Sequence, residues 1–450
     1  MKFKAEGNRT LVVGLGATGL SVARFLAECD EDVLVIDSRP CPPGLEHLQD
    51  CFPKVQIVLE NLDSCWLEHA SRVILSPGLS LAIPIVKEAR RLGIPIVSDI
   101  DLFFEKAEAP VIAVTGSNGK STVVTLLERA LSATGKKVAA GGNLGPPALD
   151  ILSPDTQIYV LEISSFQMET TDNFHPKAAA VLNISPDHLD RHGSLDNYVF
   201  LKSKLAHDAK TLIYNWDDKI VKKMGQTHAQ SIPFSVREKL EVGYSSIDSK
   251  DGRWLCKDGV PVLQADELTL PGMHNEANAL AALALVSVVE KDHPQPQLQA
   301  LREFSGLPHR CQLVAESEGI LFVNDSKGTN VGATVAALKG FSGPLVLIAG
   351  GQSKDADFFP LLEAAQDRLV GLVAIGQSAI ELETVFKSNA SVLNAASMKE
   401  AVANAIQFAR HAHESPVTVL MSPACASFDM FDNYQARGEA FAHAVKEQLQ

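Results

Sequence analysis

Residues Ala109 to Glu128 read APVIAVTGSNGKSTVVTLLE, and this stretch decides the fold. Val111 to Val114 is a short β-branched run of the kind that forms a buried strand. Thr115-Gly116-Ser117-Asn118-Gly119-Lys120-Ser121-Thr122 follows, and Val123 to Leu131 has helical character. Strand, glycine loop and helix together form the context of a phosphate-binding loop. Glycines let backbone N–H groups close around phosphate oxygens, and the free N–H groups of the helix start add partial positive charge. Lys120 is the mobile cation for the β and γ phosphates, and Ser121 or Thr122 offers a hydroxyl to Mg2+. The usual pattern places Gly where this chain has Val114. The competing reading is a plain glycine turn before a surface helix. The closeness of Gly119-Lys120-Ser121-Thr122 to the strand argues against it.

A chain of 450 residues predicts two to four domains at about 150 residues each. Hydrophobic content of 46% and charged content of 21% are those of a globular protein with ample core. A net charge of −14 argues against non-specific binding to nucleic acid or anionic membrane. No apolar run is long enough for a membrane span, and MKFKAEGNRT leads directly into a strand, so neither membrane insertion nor a signal peptide is expected. Seven cysteines without a CxxC pair suit reduced thiols and a cytoplasmic location.

Upstream, a strand at Thr10 to Val13 runs into Gly14-Leu15-Gly16-Ala17-Thr18-Gly19, a helix through Ala27, and a second strand, Val33 to Ile36, ending at Asp37. This is the G-x-G-x-x-G dinucleotide fingerprint with an acid about twenty residues on. Taken alone it suggests NAD. A tight turn for helix packing, or another diphosphate nucleotide, fits the same geometry. Val73 to Leu75 ends in Ser76-Pro77-Gly78, at the sheet edge where ligands collect. Residues 1–98 thus predict a small doubly wound α/β domain, with an acidic boundary carrying a short helix from 98 to 109.

Downstream, Gly141 to Gly145 forms a loop containing Asn143, and the strand Ile158 to Leu161 ends in Glu162-Ile163-Ser164-Ser165-Phe166-Gln167. Glu162 is placed to hold Mg2+ directly or through water. Asn183-Ile184-Ser185-Pro186-Asp187-His188-Leu189-Asp190-Arg191-His192 tempts a zinc reading, but its spacing matches no common zinc motif. A hard-cation or substrate site fits better, with a surface role for His188 as the alternative. Lys202 and Lys204 lie on a helix from Tyr198 to Ala206, where spacing alone reads as a solvated face. Residues 225–270 read as a small β subregion, and 291–300 as a Pro/Gln-rich linker. Asn275 and Asn278 share one face at the start of an apolar helix, as caps or as amides for an adenine edge. Strands at Ile320 to Val323, Leu345 to Ile348, Gly371 to Ile375 and Val417 to Met421 each end in polar loops. That third sheet edge carries Lys327, Thr329, Lys354 and Ser427, and it wants an anion.

In order along the chain, TGSNGKST, EISSFQ, NISPDHLDRH, HNEAN (274–278), His309-Arg310, NDSKGTN (324–330) and SPACASFD (422–429) resemble the Mur ligases. These are ATP-dependent amide-forming enzymes of bacterial peptidoglycan precursor synthesis. The GLGATGLS loop and SPACASFD look most like the members that add D-glutamate to UDP-N-acetylmuramoyl-L-alanine. The resemblance implies three α/β domains: a Rossmann-like 1–98, a central phosphate-loop domain 99–306, and a Rossmann-like 307–450. It implies Gly116, Ser117, Asn118, Gly119, Lys120, Ser121, Thr122, Asn275, Arg310 and Asp325 around ATP. Two Mg2+ sites follow, with Ser121 at one and Glu162, His188 and a carbamylated Lys202 at the other. Gly16, Ala17, Thr18, Asp37, Ser38, Arg39, Gly78, Asn143 and Ser164 would hold the UDP substrate. Lys327, Thr329, Lys354, Ser427, Phe428 and Tyr434 would hold D-glutamate. Lys120, His188, Lys202 and Lys354 would serve catalysis, in a monomer.

The chain departs from the family pattern in two places: Tyr434 stands where Phe is familiar, and Gln352-Ser353 lies in a loop that is commonly GGDGK-like. Two other classes remain as alternatives. An NAD oxidoreductase leaves Lys120 and the third domain without a task. A silent nucleotide-binding regulator leaves Glu162, His188, Lys202 and Lys327 unexplained. The folate polyglutamate ligases share much of the central domain but lack the GLGATGLS domain.

Overall fold

The computed structural model describes residues 9–270, 272–290, 294–341, 343–353, 356–412 and 416–449. Three sheets follow one another along the chain. The first is wholly parallel, with β1 (Arg9–Val13), β2 (Val33–Ile36), β3 (Gln56–Val58), β4 (Ala70–Leu75) and β5 (Ile96–Val97) in the order β3-β2-β1-β4-β5. The strand order reverses beside β1, so the loops after β1 and β4 open a crevice at the carboxyl edge.

The central sheet has nine strands. Its parallel part comprises β6 (Val111–Thr115), β7 (Val138–Gly142), β8 (Ile158–Glu162), β9 (Ala178–Val181), β10 (Leu212–Asn215), β11 (Ser231–Ser235) and β12 (Tyr244–Ser249). Antiparallel β13 (Gly252–Lys257) and β14 (Val260–Gln264) extend one side, giving the order β14-β13-β12-β11-β10-β9-β6-β8-β7. The β subregion expected over 225–270 is therefore an extension of the central sheet. In the third sheet, β15 (Gln312–Ser317) is an antiparallel edge on parallel β16 (Ile320–Asn324), followed by β20 (Val417–Met421), β17 (Leu345–Gly350), β18 (Leu369–Ile375) and β19 (Val392–Ala395).

The central strands are apolar on both faces because helices cover both sides. Helices Lys120–Ser132 and Met273–Val289 pack on one face of the central sheet. The other face shares a continuous core with the first sheet through helix Asp99–Lys106. Ser98 caps that helix in a capping box with Asp101, and Phe103 is fully buried with its ring 5.1 Å from Tyr159. Phe103→Ala would cost about 3–5 kcal/mol. The expected linker over 291–300 is corrected in part. Gln295–Arg302 is a helix with Pro in its first turn, and it buries Leu298 and Leu301; residues 291–293 lie outside the described residues. Proline at a helix start is compatible with helix because its missing N–H would be unpaired there anyway. Among the described residues no helix is long and apolar enough to cross a membrane.

Candidate active site

The phosphate loop begins where β6 ends. Val114 is fully buried in that strand, so the chain extends to Thr115 before turning at Gly116. Gly119 has φ +85°, and a Cβ there would lie 2.6 Å from the Asn278 side-chain oxygen. Only glycine accommodates both demands. The NISPDH segment pins the loop from below: Ser117 N donates to Asn183 O (2.9 Å) and Asn118 N to Asn183 Oδ1 (2.8 Å). Ser117 Oγ accepts from Ser185 N (2.9 Å) and lies 3.0 Å from the Tyr198 hydroxyl. Lys120 Nζ is folded back onto the carbonyls of Gly116 (3.0 Å) and Ser117 (3.1 Å). Helices Lys120–Ser132 and Ala17–Glu28 both start without a side-chain cap. Their first N–H groups are thus available to an anion.

Glu162 closes β8 and is buried. Ser121 Oγ donates to its Oε2 (2.6 Å) and Asn143 Nδ2 to its Oε1 (2.6 Å). Burial alone would raise its pKa; the Lys120 charge and these hydrogen bonds bring it below the usual carboxylate value. Serine hydroxyl and carboxylate are hard oxygen donors of the kind Mg2+ takes when phosphate supplies the rest of its shell. Lys202 is fully buried beneath the loop, contrary to a solvated helix face. Its Nζ donates to Gly116 O (3.0 Å) and Thr115 Oγ1 (3.3 Å) and sits 4.7 Å from the Tyr198 ring centre. Burial first, and repulsion from Lys120 second, hold its pKa well below that of an ordinary lysine. His188 has φ +53°, with its ring 4.7 Å from that of Phe166 and its Nε2 3.7 Å from Asp187 Oδ2.

The histidines of NISPDHLDRH do not converge. His192 turns inward, with Nε2 3.0 Å from Ser165 Oγ and Nδ1 3.3 Å from Glu169 Oε1, which accounts for the failed zinc spacing. Ser164 caps helix Ser165–Met168 in a capping box with Gln167.

The third unit reaches the loop through Arg310, whose Nη2 donates to Ser121 Oγ (2.5 Å). Asn330 caps helix Val331–Gly340 through Ala333 N (2.8 Å), and its Nδ2 donates to Asp187 Oδ2 (3.0 Å). Between the units lies a cavity of about 520 Å³ lined by Asn275, Asn278, Arg310, Asp325 and Lys327 among others, a size suited to a small ligand. Asp325 accepts from Ser422 Oγ (2.6 Å) and Cys311 N (3.2 Å), and burial pushes its pKa up to about 6. Lys327 Nζ lies 4.0 Å from the Tyr434 ring centre. Burial, then the charges of Arg310 and Lys120, lower its pKa to about 8. Thr329 follows on the same loop, with its N donating to Lys327 O (2.8 Å). Ser427 is buried, whereas Phe428 is 72% exposed. Lys354 lies outside the described residues.

In the first unit, Leu15 N and Arg39 Nη2 donate to Asp37 Oδ2 (2.7 and 2.8 Å), and Arg39 N and Nε to Oδ1 (2.8 and 2.9 Å). A carboxylate has about four acceptor positions, so Asp37 is fully used. Burial opposes its ionisation, yet the Arg39 bonds and backbone N–H groups prevail and lower its pKa to about 2. An NAD ribose would find no acceptor there; Asp37 orients Arg39 and, through Leu15 N, the residue that leads into the loop Gly16-Ala17-Thr18. Gly19 is needed for close packing, since a Cβ would lie 1.9 Å from Gly14 O.

Arg191 ties this unit to the central one. Its Nη2 donates to Leu79 O (2.6 Å) and Glu169 Oε2 (2.7 Å), its Nη1 to Gly78 O (3.3 Å), and its guanidinium covers the Phe166 ring at 4.9 Å. Sequence reasoning left Asn183, Arg191 and Asn330 without roles. The polar residues in NISPDHLDRH were the available signal for the first two.

Residues 8–98 match the Mur ligase MurD-like N-terminal domain, 114–286 the Mur ligase middle domain, and 309–425 the Mur ligase glutamate ligase domain. The UDP-N-acetylmuramoylalanine--D-glutamate ligase of Nitrosococcus oceani is 46% identical over 443 residues, covering 98% of this chain and 97% of that one. The enzyme of the same name from Pseudomonas aeruginosa is 40% identical over 451 residues, covering 99% and 100%. A pseudomurein peptide ligase type C from Methanothermus fervidus shares the fold at TM-score 0.63 and 20% identity, covering 99% of this chain and 100% of that one. Three α/β sheets in series, a phosphate loop walled by Glu162 and Lys202, and full-length likeness to these enzymes leave one conclusion: the chain belongs to the Mur ligase family.

Proposed function

We propose that the chain is an ATP-dependent ligase that adds D-glutamate to UDP-N-acetylmuramoyl-L-alanine through an acyl phosphate, releasing ADP and phosphate. The observation that carries this is the convergence at Ser121, which meets Glu162 of the central unit and Arg310 of the third. A triphosphate on the loop would lie in the cavity those units share. The units divide the work: 1–98 for the UDP substrate, 99–306 for ATP, and 307–450 for the amino acid.

The substrate carboxylate attacks the γ-phosphate, and the D-glutamate amine then attacks the activated carbonyl and expels phosphate. Catalysis rests on positioning and charge neutralisation. Gly116 to Gly119 and the helix start cradle phosphate oxygens. Lys120 leaves the Gly116 and Ser117 carbonyls and follows the β and γ phosphates. Bound Mg2+ would supply further charge neutralisation, held at one position by Ser121 and at a second by Glu162, His188 and Lys202. Lys202 is proposed to be carbamylated: an ammonium would repel the metal, whereas a carbamate offers oxygen donors. Asn275 and Asp325 hold the nucleoside, with Thr122 behind the phosphates. Asn143 and Ser164 orient the muramoyl arm; Arg39, Ser38, Gly78 and Gly16 to Thr18 hold the uridine diphosphate. Lys327, Thr329, Lys354, Ser427, Phe428 and Tyr434 are the residues assigned to D-glutamate. Arg310 and Asn330 close the third unit on the loop and exclude the water that would hydrolyse the acyl phosphate.

The enzyme acts in the cytoplasm, a location supported by its free cysteines. It works as a monomer without nucleic acid, a reading supported by a cavity lined from the central and third units of one chain and by a net charge of −14. Phosphate release with an amino-acid panel tests the reading. It is expected only with ATP, Mg2+, the muramoyl substrate and D-glutamate together; turnover with L-alanine or a diamino acid instead would overturn it.

A further inference from the structure

Among the described residues Arg437 is the largest fully buried side chain, 1% exposed, three residues into helix Tyr434–Gln448. Its Nε donates to Ser326 Oγ (3.0 Å), its Nη2 to Ser326 O (2.8 Å) and its Nη1 to Cys425 O (3.1 Å). All three acceptors are neutral. Among the described residues no carboxylate lies within ion-pair distance of it. Taking a cation out of water without a counterion is costly, and burial accordingly lowers its pKa, to about 10. It remains charged at neutral pH. A leucine-like side chain would fill the space without that cost, so packing alone does not account for it.

The acceptors identify the task. Ser326 belongs to the loop that carries Lys327 and Thr329; Cys425 belongs to the loop that carries Ser427. A third loop approaches as well. Gly351 has φ +135°, and a Cβ there would lie 3.3 Å from Arg437 Nη1 and 2.3 Å from Ala426 O. The Gly351 backbone also bonds to that assembly, with Ser378 N and Oγ donating to Gly351 O (3.0 and 2.8 Å). Ser326 Oγ in turn donates to Tyr434 O (2.8 Å), closing a ring from the helix start to the loop and back through Arg437. A planar guanidinium fixes the angle between its acceptors, which a lysine does not.

We propose that Arg437 is a positioning residue for the amino-acid substrate: it clasps the Ser326 and Cys425 loops in one register and so sets the spacing between Lys327 and Ser427. This deepens the proposed D-glutamate reading and rests on it. The clasp touches neither the phosphate loop nor the UDP crevice, and Asp325, beside Ser326, is held separately by Ser422 Oγ and Cys311 N, so loss of the clasp should fall chiefly on D-glutamate.

The test measures each substrate's KM, with kcat, in wild type, Arg437→Lys and Ser326→Ala, on protein whose melting transition shows it folded. Ser326→Ala removes one acceptor while leaving the buried arginine in place, so it reports even where Arg437→Lys does not fold. The expected result is a D-glutamate KM raised at least tenfold in either variant, with the KM values for ATP and the muramoyl substrate within about twofold of wild type. Unchanged D-glutamate KM in a folded variant, or equal rises for all three substrates, overturns the clasp. A wild-type enzyme that does not use D-glutamate would instead overturn the functional reading, which separates the two failures.

Discussion

Lys202 Nζ donates to the carbonyl of Gly116 at 3.0 Å, which places a buried amine directly under the first glycine of the phosphate loop. Burial and the neighbouring Lys120 depress its pKa, which favours the unprotonated amine more than in an ordinary lysine. A neutral amine attacks CO2 to give a carbamate and a proton; an ammonium does not. Enzyme equilibrated with 13C-bicarbonate should show a carbamate carbon signal that disappears in Lys202→Arg. Activity of that variant should fall about 10- to 100-fold, the scale of losing a metal-orienting group. An active enzyme without the signal would sink the assignment.

Lys327 gives a pH limb with a defined sign. Its pKa of about 8 lies below that of a free lysine because of burial and the charges of Arg310 and Lys120. An anionic substrate needs its protonated form, which is lost as pH rises through about 8. For D-glutamate, kcat/KM reports the free enzyme and should therefore decline above that pH. Lys327→Gln should lower kcat/KM and flatten the limb. In folding, the unfolded chain holds the proton more tightly between about 8 and 10.5. Stability should therefore rise with pH across that window.

Asp37 is spent on Arg39 and Leu15, so Asp37→Asn should act through Arg39. Bonds to charged groups are worth about 1.5–3 kcal/mol, which predicts a muramoyl-substrate KM raised roughly tenfold to a hundredfold. The KM for ATP should not move. The Asp37 pKa of about 2 against an ordinary 3.8 adds stability that is present above pH 3.8 and lost as pH falls through about 2. Acid unfolding of Asp37→Asn should lack that component. A parallel rise in the ATP KM would point to a general loss of fold instead.

The sheet centres were legible because runs such as VIAV, VLVI and VTVLM are buried on both faces. The edges were not. Gln312–Ser317 and Gln56–Val58 are half-exposed and lack a continuous buried run, so their pairing shows only in the folded sheet. Gln295–Arg302 read as a linker because its prolines and glutamines hide Leu298 and Leu301, whose burial appears only once helix Lys120–Ser132 lies beside them. In the site, residue types announced the loop, Glu162 and Lys327. The burial of Lys202 was not legible from helix spacing; the family resemblance supplied a metal-site role for it but not its burial. Asn183, Arg191, Asn330 and Arg437 stayed silent because each acts on backbone or side-chain groups that come within reach only in the folded chain.

Val114 occupies the place where phosphate loops usually begin with glycine, and a test of that departure is Val114→Gly. The residue is fully buried in β6, paired with Glu162 on one side and Ala180 on the other. Removing its side chain leaves a cavity, and glycine weakens a strand interior. The cost should be about 2–4 kcal/mol, read as a lower denaturation midpoint with an unchanged slope. No gain in ATP affinity should accompany it, because Gly116 and Gly119 already supply the two positive-φ positions that the turn requires. Tighter ATP binding in Val114→Gly would mean that the loop begins earlier than Thr115, and that the strand end, rather than Gly116, sets its shape.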